Sequence, residues 1–333
     1  MEIMRLEEIN IKKDFEEWNS IVINSPDFYT IANNPSLINF LDKTLKWAGK
    51  SYFILQNNEV IGVYQNSFVS KNKIVSTPHF SYGGIIRKNE TFTKKEIFKN
   101  ISHFFNSSFE IRDFEPYTKY FNDSKIATYL KLEASEDEQM AVFKSNHRRK
   151  IKKAYKNDLE VKNQSSTEFM LEFYKVYSKN MLRLGSPCLS KHFFLNLLKY
   201  YRYGDVRIFL VYKNNKVIGG AVVLTYNKFV EDCWLSTLSE YNNLYSSVLL
   251  YWEMIKYSIK NNKEIFSFGR STNNSSLLKF KRQWKPIEKK IYFSYSEKKK
   301  ISLKKISFLA TLWKFMPLSI ANFLGPKIAN KLY

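Results

Sequence analysis

The sequence predicts a mixed α/β (α+β) fold in which one unit is repeated twice in tandem. Three observations carry this. Two hairpin-like segments recur at a fixed spacing. A helical pattern and then a short strand follow each of them at that same spacing. The chain, at 333 residues, is long for one ordinary domain and about right for two.

The hairpins come first. Residues 51–62 read as an apolar strand, an Asn-Asn turn and a second strand, and residues 207–219 read the same way. Asn57-Asn58 matches Asn214-Asn215, and Val60-Ile61-Gly62 matches Val217-Ile218-Gly219, each 157 residues apart. Asparagine tolerates positive φ, so Asn-Asn between β-branched runs signals a tight hairpin turn. Ile97, Phe98, Ile101, Phe104 and Phe105 then recur at helical spacing, and the same shift leads to Leu250, Trp252, Met254, Ile255 and Ile259. Residues 109–114 and 266–271 follow as a strand in each half. Each half therefore reads as a helix, a set of antiparallel strands, a second helix and a further strand, giving a mostly antiparallel sheet flanked by helices. The junction falls after the strand-like Ile126–Leu132. Ser135 and Glu138 mark a helix entry there, with the helix itself beginning near Gln139. The expected division is 1–138, 139–300 and a tail of 301–333.

Composition narrows the chemistry. Hydrophobic residues make up 44% and aromatics 17%, enough for packed cores. Cys188 and Cys233 are the only cysteines and form no CxxC; the four histidines show no HxxxH spacing. A disulfide framework, a structural zinc site and histidine-based metal catalysis are not expected. The N-terminus has acidic residues where a signal peptide needs a basic start, and the longest clean apolar run, Val217–Tyr226, is too short to cross a bilayer. An intracellular protein is the expectation. The net charge of +22 favours an anionic partner, although only 10 of the 53 basic residues are arginine, a lysine bias that an AT-rich genome also produces.

Two clusters carry candidate chemistry. In 143–156, Phe143, His147, Ile151, Ala154 and Tyr155 share one helical face, while Lys144, Arg148 and Lys152 form a row four apart beside Arg149. Like charges at that spacing cost a helix a few tenths of a kcal/mol per pair, which a bound anion offsets. Arg148, Arg149 and Lys152 are therefore phosphate-contact candidates. In 265–284 a strand ends near Gly269 and a polar loop and short helix follow, a usual setting for active-site residues. This region offers Arg270 as a catalytic candidate and Ser271, Asn273 and Trp284 as substrate-binding ones.

Phe268-Gly-Arg-Ser271, a polar gap and Leu277-Leu-Lys-Phe-Lys-Arg-Gln-Trp284 resemble the closing signature of FemAB-like proteins, transferases built from two GNAT-type acyltransferase domains. The basic segment 148–154 resembles the opening of the family's second domain. His79-Phe-Ser-Tyr-Gly-Gly84 resembles its first-domain Tyr-Gly-Gly element, which adds Tyr82, Gly83 and Gly84 as binding candidates. Residues 312–326 look like the tail of members linked to exopolysaccharide systems. The resemblance implies tandem GNAT-like domains and transfer of an acyl or aminoacyl group onto an amine of a peptidoglycan or surface-polysaccharide precursor. Phe280 and Lys281 would stand at the reaction centre, with Lys281 stabilising developing negative charge, and Arg148 or Arg149 would hold acceptor phosphates. Ser267 stands where many relatives carry Asp, and Lys285-Pro286 where they often carry Gly.

The resemblance implies aminoacyl-tRNA or acyl-CoA as donor, and no tightly bound cofactor and no metal are expected. Ordinary GNAT enzymes hold the CoA pyrophosphate in a Gly-rich loop, whereas residues 239–247 contain no glycine. No Ser/Cys–His pairing is evident, so direct attack by the acceptor amine is expected, with Glu231 and Asp232 as general-base candidates. Residues 285–305 hold eight Lys against two Glu and lead into an amphipathic stretch at 306–316 with Trp313. Through 285–325 the chain would touch an anionic membrane, at the cytoplasmic face, where a lipid-linked glycan acceptor would lie. The alternatives are an acyl-CoA-dependent N-acyltransferase acting on an amino sugar, and a non-catalytic module binding an anionic surface.

Overall fold

The computed structural model of the chain describes residues 4–105, 107–298 and 310–331. The first half runs β1 (Arg5–Glu8), α1 (Ile11–Asn24), α2 (Ser36–Leu45), β2 (Gly49–Gln56), β3 (Glu59–Ser70), β4 (Lys73–Val75), β5 (Ile86–Arg87), α3 (Lys94–Ile101), β6 (Ser108–Asp113) and β7 (Phe121–Lys131). The second half runs α4 (Glu136–Val142), α5 (Ser145–Tyr155), β8 (Glu160–Gln164), α6 (Thr167–Leu184), α7 (Lys191–Tyr200), β9 (Val206–Lys213), β10 (Lys216–Tyr226), β11 (Phe229–Thr237), α8 (Ser246–Lys260), β12 (Ile265–Thr272), α9 (Ser276–Lys281) and β13 (Ile287–Tyr295). A last helix, α10 (Leu318–Ala329), closes the described chain.

The repeat is present. β2 and β9 both begin and end 157 residues apart, and β3 and β10, like β6 and β12, begin at that same offset. Asn57, Asn58, Asn214 and Asn215 all have positive φ, as the two hairpins require. Ser135 caps α4 by accepting from the Glu138 N–H, so that helix starts three residues before the expected Gln139.

Among the described residues one thirteen-stranded sheet runs β1-β2-β3-β4-β6-β13-β7-β12-β11-β10-β9-β8, with β5 paired to β3 off that path. The two halves exchange a strand at the centre. β13, late in the chain, pairs with β6 of the first half, and β7, which ends the first half, pairs with β12 of the second. One face carries a continuous layer from both halves, where Trp18, Phe40, Phe173 and Phe193 share a single core. On the other face α5 and α8 cover the second half and α3 the first.

α6 shows how sequence sets these elements. Ser166 caps its start by accepting from the Phe169 N–H, Met170, Phe173, Val176 and Tyr177 bury one stripe, and Gly185 at φ 72° ends it. The tail departs from expectation. Residues 287–295 form β13 within the sheet, so contact with a membrane is left to residues beyond it. Of the expected amphipathic stretch, 299–309 lie outside the described residues; 310–313 are helical, and Trp313 is buried rather than presented outward.

Candidate active site

The site follows from two strands that part. β11 and β12 run parallel only from Phe229 opposite Ile265 to Glu231 opposite Ser267, yet β11 continues to Thr237 and β12 to Thr272. Each strand has a local reason to bend. In β11 Val222 faces Trp234 and Val223 faces Asp232, which leaves Cys233 as a bulge. In β12 the register against β7 slips between Ser267 and Arg270, around Gly269 at φ 67°. A side chain there would be strained, and its Cβ would sit 3.2 Å from Ser81 Oγ.

A cavity of about 650 Å³ opens in this gap, lined by α6, β11, the start of α8, β12 and α9, and by His79 and Ser81 from the first half. In the first half β4 and β6 are likewise parallel. Beside them, the buried guanidinium of Arg112 fills the interior, bonded to Glu110 and to the carbonyls of Thr77 and Phe80.

Lys281 lines the cavity. α9 carries it inward until it is 3% exposed, and its Nζ donates to the carbonyl of Phe268 and, at 3.3 Å, to that of Arg270. Those bonds use two of its three N–H donors and leave one. Burial lowers its pKa against the opposing pull of Asp232 and Glu231. Asp232 is buried, its Oδ1 has no hydrogen-bond partner, and burial raises its pKa while Tyr251 and Lys281 pull the other way. A carboxylate pushed up beside an amine pushed down is the arrangement that proton transfer near neutral pH requires. Glu231, also raised by burial, accepts from Ser267 Oγ at 3.0 Å, and that Oγ accepts from the Gly269 N–H. Glu231 thus brings a carboxylate from the neighbouring strand onto Ser267.

Arg270 lines the cavity and ties the halves together through the carbonyls of Phe80 (2.9 Å) and Ser81 (3.2 Å). Burial and nearby Arg112 lower its pKa to about 9. Phe280 lines the wall and packs 5.8 Å from Tyr251.

Other candidates stand elsewhere. Trp284 is fully buried behind the wall, 4.2 Å from His147 and 5.2 Å from Phe143. Ser271 is buried in β12 opposite Ile126, and Asn273 is exposed on the loop that follows. Gly83 bridges to Arg112; a Cβ on Gly84 would fall 2.2 Å from Asp113 Oδ2; Tyr82 packs on Phe114. These three pack against the first half's own residues in those contacts and do not line the cavity. Arg148 donates to the Phe143 carbonyl at 2.6 Å, at the end of α4, while Arg149 and Lys152 are exposed on α5. None of the three lines the cavity. The same helix instead reaches the start of α8: Lys153 Nζ lies 5.5 Å from the Tyr245 ring and Asn157 donates to the Leu244 carbonyl.

Among the wall residues that sequence reasoning did not single out are His79 as a side chain, Tyr251 and Trp234. His79 has φ 68°, stacks on Trp47 at 5.3 Å, and its buried Nε2 has no partner. Burial, together with Arg112 and Arg270, lowers its pKa to about 3, so the ring is neutral. No spacing rule exposes such a residue, because it enters a cavity built mostly by the second half, whose other wall residues lie about 100 residues or more away in sequence.

Residues 141–282 match the acetyltransferase (GNAT) domain family. The second half thus carries a GNAT-type acyltransferase domain. The structure of FemX superposes with a TM-score of 0.64 at 14% identity, covering 86% of this chain and 96% of that one. The C-terminal domain of a putative lysylphosphatidylglycerol synthetase from Agrobacterium fabrum gives 0.58 at 10% identity, covering 86% and 92%. A tandem GNAT protein from the clavulanic acid biosynthesis pathway gives 0.53 at 6% identity, covering 89% and 100%. No curated protein matches the sequence. Among the described residues, no group of three or more His, Cys, Asp or Glu could hold a metal, and no helix is long and apolar enough to cross a membrane.

Proposed function

We propose that this acyltransferase moves an aminoacyl or other acyl group onto an amine of a cell-envelope precursor, within the cavity between β11 and β12. The observation that carries the reading is Lys281, buried in the cavity wall beside Asp232 with one donor to spare. In the reaction the acceptor nitrogen attacks the carbonyl carbon of the donor ester or thioester, and a C–N bond forms. The unused N–H of Lys281 stabilises the oxyanion. Asp232 takes the proton from the attacking amine. The C–O or C–S bond then breaks, and Lys281 supplies the proton to the leaving group, regaining one through Asp232. Arg270 and Phe280 shape the wall, and the neutral His79 Nε2 offers an acceptor for a substrate N–H or O–H.

The donor's anionic part suits the start of α8. That fifteen-residue helix has no side-chain cap, so its first-turn N–H groups and dipole remain available to an anion, and Ser247 reaches the cavity there. Lys153 stands beside it. This favours the basic face of α5, with Arg149 and Lys152, as a contact for a polyanionic donor rather than for the acceptor. The likeness to FemX and to the C-terminal domain of the putative lysylphosphatidylglycerol synthetase supports aminoacyl transfer; the GNAT match supports acyl-CoA as the second reading. A transfer assay offering labelled aminoacyl-tRNA and acyl-CoA separately to amine-bearing envelope precursors tests both. Product from either donor that disappears in Lys281→Ala supports the site, and full turnover in that variant overturns it.

A further inference from the structure

We infer that the C-terminal tail is a docking surface for an anionic lipid bilayer, set beside the mouth of the cavity. α10 is built the opposite way round from a helix seeking a core. It buries its small residues, Ala321, Gly325 and Ala329, at four-residue spacing, and turns Ile320 and Phe323 to solvent. A Cβ on Gly325 would lie 3.0 Å from the Cys188 backbone, so the close seating of the helix needs that glycine. Phe323 is 66% exposed, and Phe315, before the helix, is 83% exposed. Residues 312–328 hold five of the chain's exposed large apolar side chains, a density that a surface without a partner does not need.

The charge states the partner. Lys314, Lys327 and Lys331 lie in the described tail, which has no Asp or Glu. Lys327 Nζ lies 4.3 Å from the Phe323 ring, so cation and apolar anchor stand together. Exposed aromatics interleaved with lysines on and around a short helix fit the headgroup region of an anionic membrane. The tail also borders the site. Ala329 lines the cavity, Gly185 abuts the Ala310 carbonyl, and the neighbouring Leu184, half exposed, is on the cavity rim with Leu277. A protein lying on its tail would present the cavity mouth to a lipid-linked acceptor, a purpose that rests on the function proposed above; the surface itself rests on the tail's geometry.

Flotation of the full chain with vesicles tests it, using phosphatidylcholine with about one third phosphatidylglycerol and phosphatidylcholine alone. The expected result is binding to the anionic vesicles only. It should fall at least tenfold in Phe315→Ser/Phe323→Ser and several-fold in Lys314→Gln/Lys327→Gln, with melting temperatures close to the parent's. Absence of binding, or binding that both variants retain, overturns the inference. So does a dimer seen by light scattering that Phe323→Ser dissociates, since the patch would then belong to a second copy. Vesicle binding that persists in Lys281→Ala, or in a preparation giving no transfer product, still supports the surface, so its fate is separate from that of the transferase reading.

Discussion

Arg112 and Arg270, from strands of opposite halves, donate to the same acceptor, the carbonyl oxygen of Phe80, at 3.1 and 2.9 Å. Two buried guanidiniums converge where the halves meet, and Glu110 bonds to Arg112 through Nε and Nη2. Replacing Arg112 with Leu leaves Glu110 buried without that partner. The expected loss is about 3–5 kcal/mol of unfolding free energy, the usual consequence of breaking a buried ion pair from one side. Chemical denaturation measures it, and a loss below 1 kcal/mol would show that the pair is not holding the seam.

Lys281→Ala should lower kcat by about 10²–10³-fold, the range for losing one preorganised oxyanion donor, with the fold intact by circular dichroism. The pH profile of the parent should be bell-shaped. Burial raises Asp232, so its activating deprotonation moves from the ordinary carboxylate range toward neutrality. Burial lowers Lys281, so the alkaline limb begins below the ordinary lysine range. Asp232→Asn should remove the acid limb from kcat/KM; an unchanged limb would assign it elsewhere.

Gly269→Ala places a Cβ at φ 67° and 3.2 Å from Ser81 Oγ. Left-handed backbone costs a non-glycine residue about 1–2 kcal/mol. The variant should melt several degrees lower and lose activity further than its stability predicts, because the carbonyls on either side, those of Phe268 and Arg270, hold Lys281.

His79 links stability to acid. The native state keeps it neutral until about pH 3, whereas an ordinary histidine takes its proton near 6.5. Its contribution is therefore full above about pH 6.5 and is lost as pH falls toward 3, amounting to about 1–2 kcal/mol at pH 5. His79→Gln should lose less Tm between pH 7 and pH 5 than the parent. If His79 also meets substrate, KM should rise more than kcat falls.

The repeat was legible because turn chemistry is local: two Asn-Asn pairs 157 residues apart declare two hairpins, whatever they pack against. Asp232 and Glu231 could be named because they sit on a strand before a polar loop, and Lys281 because its motif resembles a family's closing signature. The exchange of β7 and β13 was not legible, since no local signal says which of several apolar strands a segment will pair with. The row Arg148, Arg149 and Lys152 was visible as charge, but its helix face points away from the cavity, and only tertiary packing decides that. The tail misled for a related reason: tryptophan beside lysine suggests an interface, yet Trp313 turns inward and Leu312 and Phe315 turn out.

The exchanged strand also sets a timetable for the nascent chain. One edge of β6 is closed only by β13, through pairs such as Asp113 with Tyr292, about 180 residues further along. At a synthesis rate of about 5–20 residues per second, that edge waits on the order of 10–40 s on the ribosome before its partner exists. β7 waits almost as long for β12. The centre of the finished sheet is thus the last part to be zipped, and until then two apolar edges are open to strangers.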